Sequence, residues 1–341
     1  MRRLIHSFAP VRIADNGGWT DTWFARHGSV LNIAVTPGVD VSIEVFARNA
    51  PGAPVTLHLA DVSYAYEPRA GRRGKNPLIE AAIDFMGIPE DLAVRIAITS
   101  AVPPGASTGT SASVTVSLLA ALARLHEHHL EPMALAMAAH HVEMDILGWQ
   151  CGVQDQIAAA FGGINFIAIG PFPTARVEPL NLPAELLRQL ETRLLLVYLG
   201  SSHQSSDIHR IVIAELEAEG EHSPRLEVLR SCAGEARAAL LAGDLEAFGR
   251  SLAANTDAQL ELHPALLSEA ARTVIDIAVR YGAAGWKVNG AGGDGGSVSI
   301  LQAPGCAGQQ EMLAEIAGAI PASWAIPIRL SPTGATSVSL D

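Results

Sequence analysis

The segment Pro103-Pro104-Gly105-Ala106-Ser107-Thr108-Gly109-Thr110-Ser111-Ala112 constrains the fold most, because it joins a predicted strand to a long apolar helix. The strand ends near Thr99, and the helix runs from about Ser111 to Leu125. Glycines let the backbone approach an anion closely, and a helix start adds unpaired N–H groups and a positive dipole end. The segment therefore predicts an anion-binding turn, with an ordinary connection capped by Ser or Thr as the alternative.

A lysine-bearing phosphate loop is excluded, because no GxxxxGK[ST] motif occurs in the chain. A second glycine-rich segment, Lys287 to Gly296, contains a GxGxxG pattern from Gly290 to Gly295. A strand-like run, Ser297 to Leu301, follows it where a dinucleotide-binding turn would open a helix, so that function is disfavoured. Its five glycines exceed what a single flexible hairpin requires. We predict that it packs closely against a ligand or against the 103–112 segment.

A third cluster, Arg12 to Thr22, combines an arginine, a Gly-Gly turn, an aromatic ring and a carboxylate. Asp21 could accept hydrogen bonds from two vicinal hydroxyl groups, while Trp19 offers an apolar face to a ring. The alternative is a turn that carries an exposed aspartate.

Composition narrows the class of protein. A chain of 341 residues with 49% apolar residues can form two domains with buried cores. Its 23 Lys plus Arg and 35 Asp plus Glu give a net charge of -12, which disfavours nucleic acid as a partner. Three scattered cysteines indicate neither a disulfide framework nor a zinc site. Since no apolar run is long enough for a signal peptide or a membrane span, we expect a cytoplasmic protein without a membrane partner.

The order of elements predicts an α+β fold. Strand-like runs occupy most of the first 100 residues, and helices dominate from residue 111 to about 147. Three helical patterns lie between Arg210 and Arg280, and the last 60 residues return to strand, glycine loop, strand, helix and strand. The strand predictions in the first part are Ser29 to Val35, Val39 to Ala47, Val55 to Leu59 and Leu92 to Ile98. Mixed connection lengths indicate α+β layers and not a doubly wound sheet.

Taken in order, the three clusters resemble the motifs of the GHMP kinases. Residues 103–112 are similar to that family's PxGxGLGSSAA loop, and residues 290–296 to its GAGGGG loop. Gly152 to Gln156 and Phe161 to Asn165 resemble the GxQDQ…GGIN segment of heptose 7-phosphate kinases. The resemblance implies a two-lobed fold, with a ribosomal protein S5 domain 2-like N-terminal lobe at residues 1–190 and a ferredoxin-like α/β lobe at 191–341.

The resemblance also implies roles for individual residues. Asp155 matches the general base, and Arg12 matches a neighbouring cation that keeps it ionised. Ser111 and Glu143 match the pair that binds Mg²⁺. The residues expected at the substrate are Gly18, Trp19, Thr20 and Asp21. The residues expected at ATP are Pro104, Gly105, Ala106, Ser107, Thr108, Gly109, Thr110, Ser111, Gly290, Gly292 and Gly293.

Three residues depart from the family pattern. Ser107 replaces a usual glycine, Thr108 replaces a usual leucine, and Asp294 interrupts the second glycine run. A carboxylate beside a triphosphate is unfavourable unless it points away or meets a cation. Asp294 is therefore the departure that most opposes ATP binding.

The resemblance implies ATP and a sugar or sugar phosphate as substrates, and is compatible with a homodimer. Residues 17–22 and 27–32 look like L-fucokinase, whereas residues 154–156 point to a heptose 7-phosphate kinase; both imply phosphorylation of the C1 hydroxyl. Arg72, Arg73 and Lys75 are the nearest basic cluster for a sugar phosphate, although a solvated loop also explains them. A non-catalytic ligand-binding regulator and an ATP-dependent decarboxylase of mevalonate diphosphate are the alternatives.

Overall fold

The computed structural model describes residues 3–48, 53–59, 62–68, 74–200, 206–306 and 308–340. Within these ranges the chain forms two antiparallel-rich sheets flanked by helices, which confirms the predicted two-lobed α+β architecture. The first sheet contains β1 (Arg3–Asn16), β2 (Gly28–Ala47), β3 (Val55–Leu59), β4 (Val62–Tyr66), β5 (Leu92–Ser100), β6 (Ile164–Ile169), β7 (Ala175–Pro179), β12 (Arg329–Leu330) and β13 (Thr336–Leu340). The second contains β8 (Leu194–Tyr198), β9 (Gly285–Val288), β10 (Ser297–Leu301) and β11 (Trp324–Ile326).

The helices pack on and between these sheets. They are α1 (Pro77–Met86), α2 (Thr110–Leu125), α3 (Pro132–His141), α4 (Gln154–Phe161), α5 (Ala184–Arg193), α6 (Ser206–Glu219), α7 (Pro224–Ala242), α8 (Leu245–Leu262), α9 (Glu269–Arg280) and α10 (Gln309–Ala319). Helix α2 is buried along most of its length in the core of the first lobe, as its apolar sequence predicts. No helix in the described ranges combines the length and apolar character that a membrane span needs.

Strand β2 organises the first sheet. It pairs with β1 along most of its length, with β6 through residues 28–33 and with β5 through residues 39–47. The two strands predicted at Ser29 to Val35 and Val39 to Ala47 are therefore one continuous strand. Residues 30–35 are all buried, whereas residues 39–45 alternate between buried and half-buried positions. Because these two patterns differ, the sequence resembled two separate elements.

Four helices, α6 to α9, occupy the interval for which three helical patterns were predicted. Only Gly243 and Asp244 separate α7 from α8. Gly243 ends α7 in a left-handed conformation, and the Asp244 carboxylate caps α8 by accepting a hydrogen bond from Ala247 N at 2.8 Å. Such a short break is easily overlooked in a continuous helical pattern.

The division of the lobes differs from the predicted boundary after residue 190. That residue lies inside α5, which leads directly into β8 of the second sheet. The C-terminal residues return to the first lobe, since β13 pairs with β1 and β12 pairs with β2. The second lobe therefore ends near β11.

The second lobe depends on a close backbone approach between α8 and β9. A Cβ added at Gly285 would lie 2.0 Å from the carbonyl oxygen of Gly249. We expect Gly285→Ala to lower the free energy of unfolding by about 1–3 kcal/mol, because neither backbone can yield without shifting its element. The measurement is the urea-unfolding midpoint.

Gly234→Ala is the matched control. Gly234 lies on an exposed face of α7, with no atom within 4 Å of an added Cβ. There the same substitution should stabilise the protein by up to about 1 kcal/mol, since alanine favours a helix. Equal midpoints for Gly285→Ala and the wild type would contradict the close approach.

Candidate active site

A cavity of about 600 Å³ brings together five separated parts of the chain. The lining residues fall within 12–24, 105–112, 143–156, 209–213 and 290–291. All three sequence clusters therefore contribute to one cavity, and residues 105 to 112 line it without interruption. Pro104 lies outside the lining, with its carbonyl oxygen accepting a hydrogen bond from Tyr198 Oη at 3.4 Å.

The 103–112 segment has the geometry expected of an anion-binding turn. Gly105, Ser107 and Gly109 have φ angles of 76°, 58° and 73°, in the left-handed region. Gly109 precedes the first residue of α2, and no side chain caps that helix start. The expected alternative, a connection capped by Ser or Thr, is therefore wrong. Thr110, Ser111 and Ala112, the first residues of α2, line the cavity, and the first amides of a helix have no partner within the helix.

The second glycine segment packs against the first. A Cβ at Gly290 would lie 3.0 Å from Ser107 O, and one at Gly296 would lie 2.9 Å from Ser107 Oγ. Ser297 Oγ donates a hydrogen bond to Ala106 O at 2.6 Å. The predicted close packing of the two segments is confirmed.

Only part of the second glycine segment reaches the cavity. Gly290 lines the cavity, whereas Gly292 and Gly293 do not. Gly293 N donates a hydrogen bond to Leu266 O at 2.8 Å. Gly292 O lies 3.2 Å from His209 Nε2 on α6. Asp294 is exposed and does not line the cavity. Its carboxylate therefore does not oppose an anion bound there.

Arg12 and Asp155 form a two-pronged ion pair beside the 103–112 segment. Arg12 Nε donates to Asp155 Oδ1 at 2.8 Å, and Nη2 donates to Oδ2 at 3.2 Å. Arg12 Nη1 donates to Ser107 O at 2.6 Å, so the same guanidinium fixes the turn. Burial of Arg12 disfavours its charge, but Asp155 and Asp15 outweigh that effect and raise its pKa further above the ordinary value. Arg12 therefore carries a positive charge.

Asp155 lies in the first turn of α4, where the helix dipole favours a negative charge. Asp155 does not cap this helix, because α4 begins at Gln154 and Asp155 lies inside its first turn. The carboxyl carbon of Asp155 would lie 3.1 Å from a Cβ at Gly109, so Asp155 directly adjoins the anion-binding turn.

Asp21 is buried in the same cavity, so the alternative of an exposed turn residue is wrong. Its Oδ2 accepts a hydrogen bond from Gln154 N at 3.0 Å. Burial, reinforced by the charge of Asp155, raises the pKa of Asp21 to about 6. Near neutral pH, Asp21 therefore accepts hydrogen bonds.

The three other residues expected at the substrate differ in whether they line the cavity. Trp19 lines the cavity with its ring 5.7 Å from His209, and its Nε1 has no hydrogen-bond partner among the residues that the structure describes. Gly18 and Thr20 lie outside the lining. Thr20 Oγ1 donates to Gly17 O at 2.7 Å, which gives Thr20 a role in the turn.

Glu143 follows α3 on a π-helical turn, Val142–Ile146, which replaces the last turn of the helix predicted to Leu147. Its side chain is buried, whereas the neighbouring His141 and Asp145 pair with each other at 2.7 Å on the exposed side of the helix. Burial raises the pKa of Glu143 to about 7. Gln156 Nε2, a neutral amide, donates a hydrogen bond to Glu143 Oε1 at 3.2 Å.

A cation would suit this carboxylate. Ser111 lines the same cavity and can supply a hydroxyl ligand. No group of three or more His, Cys, Asp or Glu side chains in the described ranges could hold a metal ion by itself. These residues therefore fit a Mg²⁺ ion that also uses oxygens of a bound anion, as Mg²⁺ at phosphates commonly does.

Sequence reasoning missed the residues that α6 adds to the cavity, namely His209, Arg210 and Ile213. It also missed Trp23 and Phe24, although both directly follow the third cluster. Of the basic cluster considered for a sugar phosphate, Lys75 lies outside the cavity beside Tyr64, and Arg72 and Arg73 fall outside the described residues. The α6 residues carry no local motif and meet the cavity only through the tertiary fold.

Comparisons with known proteins agree with this arrangement. A model of the GHMP kinases N terminal domain matches residues 77–163, and one of the GHMP kinases C terminal matches residues 236–301. The chain is 26% identical over 304 residues to a D-glycero-alpha-D-manno-heptose 7-phosphate kinase of Campylobacter jejuni, covering 86% of this chain and 88% of that protein. It is 30% identical over 239 residues to a mevalonate kinase of Thermococcus sibiricus, covering 69% and 66%.

The fold is also similar to that of a solved structure, a D-glycero-D-manno-heptose 1-phosphate kinase from Bacteriodes thetaiotaomicron. The TM-score is 0.75 at 21% identity, with 99% of each chain covered. The first family model contains the anion-binding turn, Glu143 and Asp155, and the second contains the glycine segment that packs against that turn. The chain therefore belongs to the GHMP kinases.

Proposed function

We propose that this protein transfers the γ-phosphate of ATP to a sugar hydroxyl, with the C1 hydroxyl of a heptose 7-phosphate as the first candidate. The observation that carries this proposal is the Arg12–Asp155 pair, which adjoins the anion-binding turn inside a cavity large enough for both substrates. Similarity to a kinase named for heptose 7-phosphate across most of both chains supports the choice of acceptor.

In the proposed reaction, backbone amides of the turn and of the start of α2, within residues 105–112, hold the phosphates of ATP. Asp155 takes the proton of the attacking hydroxyl as the new O–P bond forms and the bond between the γ-phosphorus and the bridging oxygen breaks, releasing ADP. Arg12 keeps Asp155 ionised and stabilises negative charge on the transferred group. Positioning and charge neutralisation suffice, so no covalent enzyme intermediate is required.

Ser111 and Glu143 would hold a Mg²⁺ ion together with the nucleotide phosphates. The ion would supply positive charge to a cavity that already contains the carboxylates of Asp15, Asp21, Glu143 and Asp155. Glu143 must lose its proton to serve as a ligand, so binding of the ion should release protons near pH 7.

The sugar would occupy the end of the cavity near Asp21. Asp21 offers a carboxylate acceptor there, and Gln154 Oε1 has no hydrogen-bond partner in the described part of the chain. Trp19 Nε1 is a buried hydrogen-bond donor that also has no partner among the described residues. Buried polar groups without partners are costly, so hydroxyl groups of a ligand would complete these hydrogen bonds.

A coupled ADP-release screen tests the function. It compares heptose 7-phosphate, L-fucose, galactose and mevalonate with ATP and Mg²⁺, and phosphorus NMR then locates the new phosphate. We expect turnover with a sugar or sugar phosphate and a product phosphorylated at C1. Turnover with mevalonate alone would contradict the sugar assignment, and ATP binding without turnover on any acceptor would favour the non-catalytic regulator.

Asp155→Asn should lower kcat by about 10²–10⁴-fold, the usual contribution of a general base. The dissociation constant for ATP should stay within about threefold, because the asparagine oxygen can still accept a hydrogen bond from Arg12, and Arg12 Nη1 keeps its own contact with Ser107 O. Steady-state kinetics and calorimetry measure the two effects. Asp40→Asn removes an exposed carboxylate paired with His6 at 3.1 Å and should retain wild-type turnover. An Asp155→Asn variant with near-normal kcat would reject the assigned base.

Glu143→Gln should change stability in a pH-dependent way. The pKa of Glu143 rises from 4.5 to about 7 on folding, so the folded state binds its proton more tightly. The associated stability is complete below about pH 4.5 and is lost as pH rises through about 7. At pH 8 the variant should therefore be more stable than the wild type by about 3 kcal/mol, with little difference near pH 4.5. Urea unfolding at both pH values measures this.

The same variant should bind ATP more weakly in the presence of Mg²⁺, while binding without Mg²⁺ changes little. Glu178→Gln serves as the control, because Glu178 is partly exposed and already paired with Arg237. If Glu143→Gln is no more stable than the wild type at pH 8, burial does not raise the pKa of Glu143 on folding. If ATP binding by the variant depends on Mg²⁺ as it does in the wild type, Glu143 is not part of the metal site.

A further inference from the structure

Lys287 is a fully buried lysine that the proposed reaction does not use. It lies on β9, and its ammonium donates to Gln259 Oε1 at 2.6 Å and to the carbonyl of Val288. Lys287 Nζ also lies 3.6 Å from Asp15 Oδ1. A buried ammonium is strongly unfavourable without a paired carboxylate. Burial lowers the pKa of Lys287, and the charge of Asp15 opposes this effect, so Asp15 is the carboxylate that compensates the buried ammonium.

Asp15 lies between two cations. Its side chain is 1% exposed, and both of its oxygens accept from Gly290 N, at 3.1 and 3.2 Å. On one side is Lys287, and on the other side Arg12 Nη1 lies 3.8 Å from Asp15 Oδ1. Arg12 therefore has two carboxylate neighbours, Asp155 in direct hydrogen-bond contact and Asp15 just beyond it.

These two carboxylates compete for one guanidinium. A movement of Arg12 by about 1 Å would bring Nη1 within hydrogen-bond distance of Asp15. The same movement would disturb the contacts of Arg12 with Asp155 and Ser107. Without Lys287, the charge of Asp15 would be offset only by the Gly290 N–H group and by Arg12 Nη1 at 3.8 Å, which favours that movement.

We propose that Lys287 is a positioning residue that neutralises Asp15 and thereby leaves Arg12 on Asp155. The proposal rests on the proposed function for its kinetic consequence, but not for its structural one. It also links the lobes, since Lys287 and Gly290 belong to the second lobe whereas Arg12 and Asp15 lie on β1 of the first. Ala14 N strengthens this link by donating to Asn289 Oδ1 at 3.0 Å.

The kinetic test compares Lys287→Gln with the double variant Lys287→Gln/Asp15→Asn. The single variant should lose about 10–100-fold in kcat, since a displacement of about 1 Å can have such an effect. The double variant removes the competing carboxylate, and its kcat should be at least tenfold higher than that of Lys287→Gln. Assays run well below the unfolding temperature, so that stability changes do not affect kcat.

Arg95→Gln is the matched control. It removes a cation from an exposed pair with Glu44, at 2.9 Å, and should leave kcat unchanged. If Lys287→Gln does not fold, the double variant carries the test, because it buries neither charge. A folded double variant that still loses more than about 100-fold in kcat would overturn the proposal.

Crystal structures without ligands test the proposal independently of the acceptor. In Lys287→Gln, Arg12 Nη1 should approach Asp15 to about 2.9 Å while its contacts with Asp155 lengthen. In the double variant, Arg12 should return to Asp155. Arg12 remaining on Asp155 in Lys287→Gln would overturn the proposal. If the structures behave as expected but no acceptor supports ADP release, the proposed function fails and the positioning role stands.

Discussion

The ion pair between Arg12 and Asp155 is the interaction on which the rest of the site depends. It joins β1 to the first turn of α4, and the remaining guanidinium nitrogen holds the carbonyl of Ser107 in the anion-binding turn. One buried cation thus holds three distant chain segments together, in surroundings where its charge is weakly screened. Both glycine segments and the carboxylate that adjoins them are arranged around this contact.

Among the described residues that line the cavity there is no lysine, so the electrostatics of the cavity depend on other groups. Four carboxylates line it, and burial raises the pKa of both Asp21 and Glu143. A triphosphate entering such a cavity would meet repulsion unless backbone amides and a divalent cation offset it. The exposed position of Asp294 fits this requirement, because Asp294 does not line the cavity.

The sequence predicted the parts of the site that are local in the chain. The strand before residue 103, the helix after it and the glycine pattern all appear where expected, and Arg12, Asp21, Glu143 and Asp155 meet in one cavity. Contacts between distant residues were not predicted. Asp15 and Gly290 are 275 residues apart, and the α6 residues carry no motif that would place them beside Trp19. The π-helical turn that buries Glu143 was also missed, since its sequence continues an ordinary helical pattern.

The central claim is that amides of a lysine-free turn, aided by one divalent cation, hold a triphosphate beside Asp155. Calorimetric titration of the wild-type protein with ATP, with and without Mg²⁺, tests this claim most directly. We expect a single site with a dissociation constant of about 1 mM or tighter in the presence of Mg²⁺, and clearly weaker binding without it. The absence of any binding heat at millimolar ATP and Mg²⁺, at two temperatures, would contradict the account.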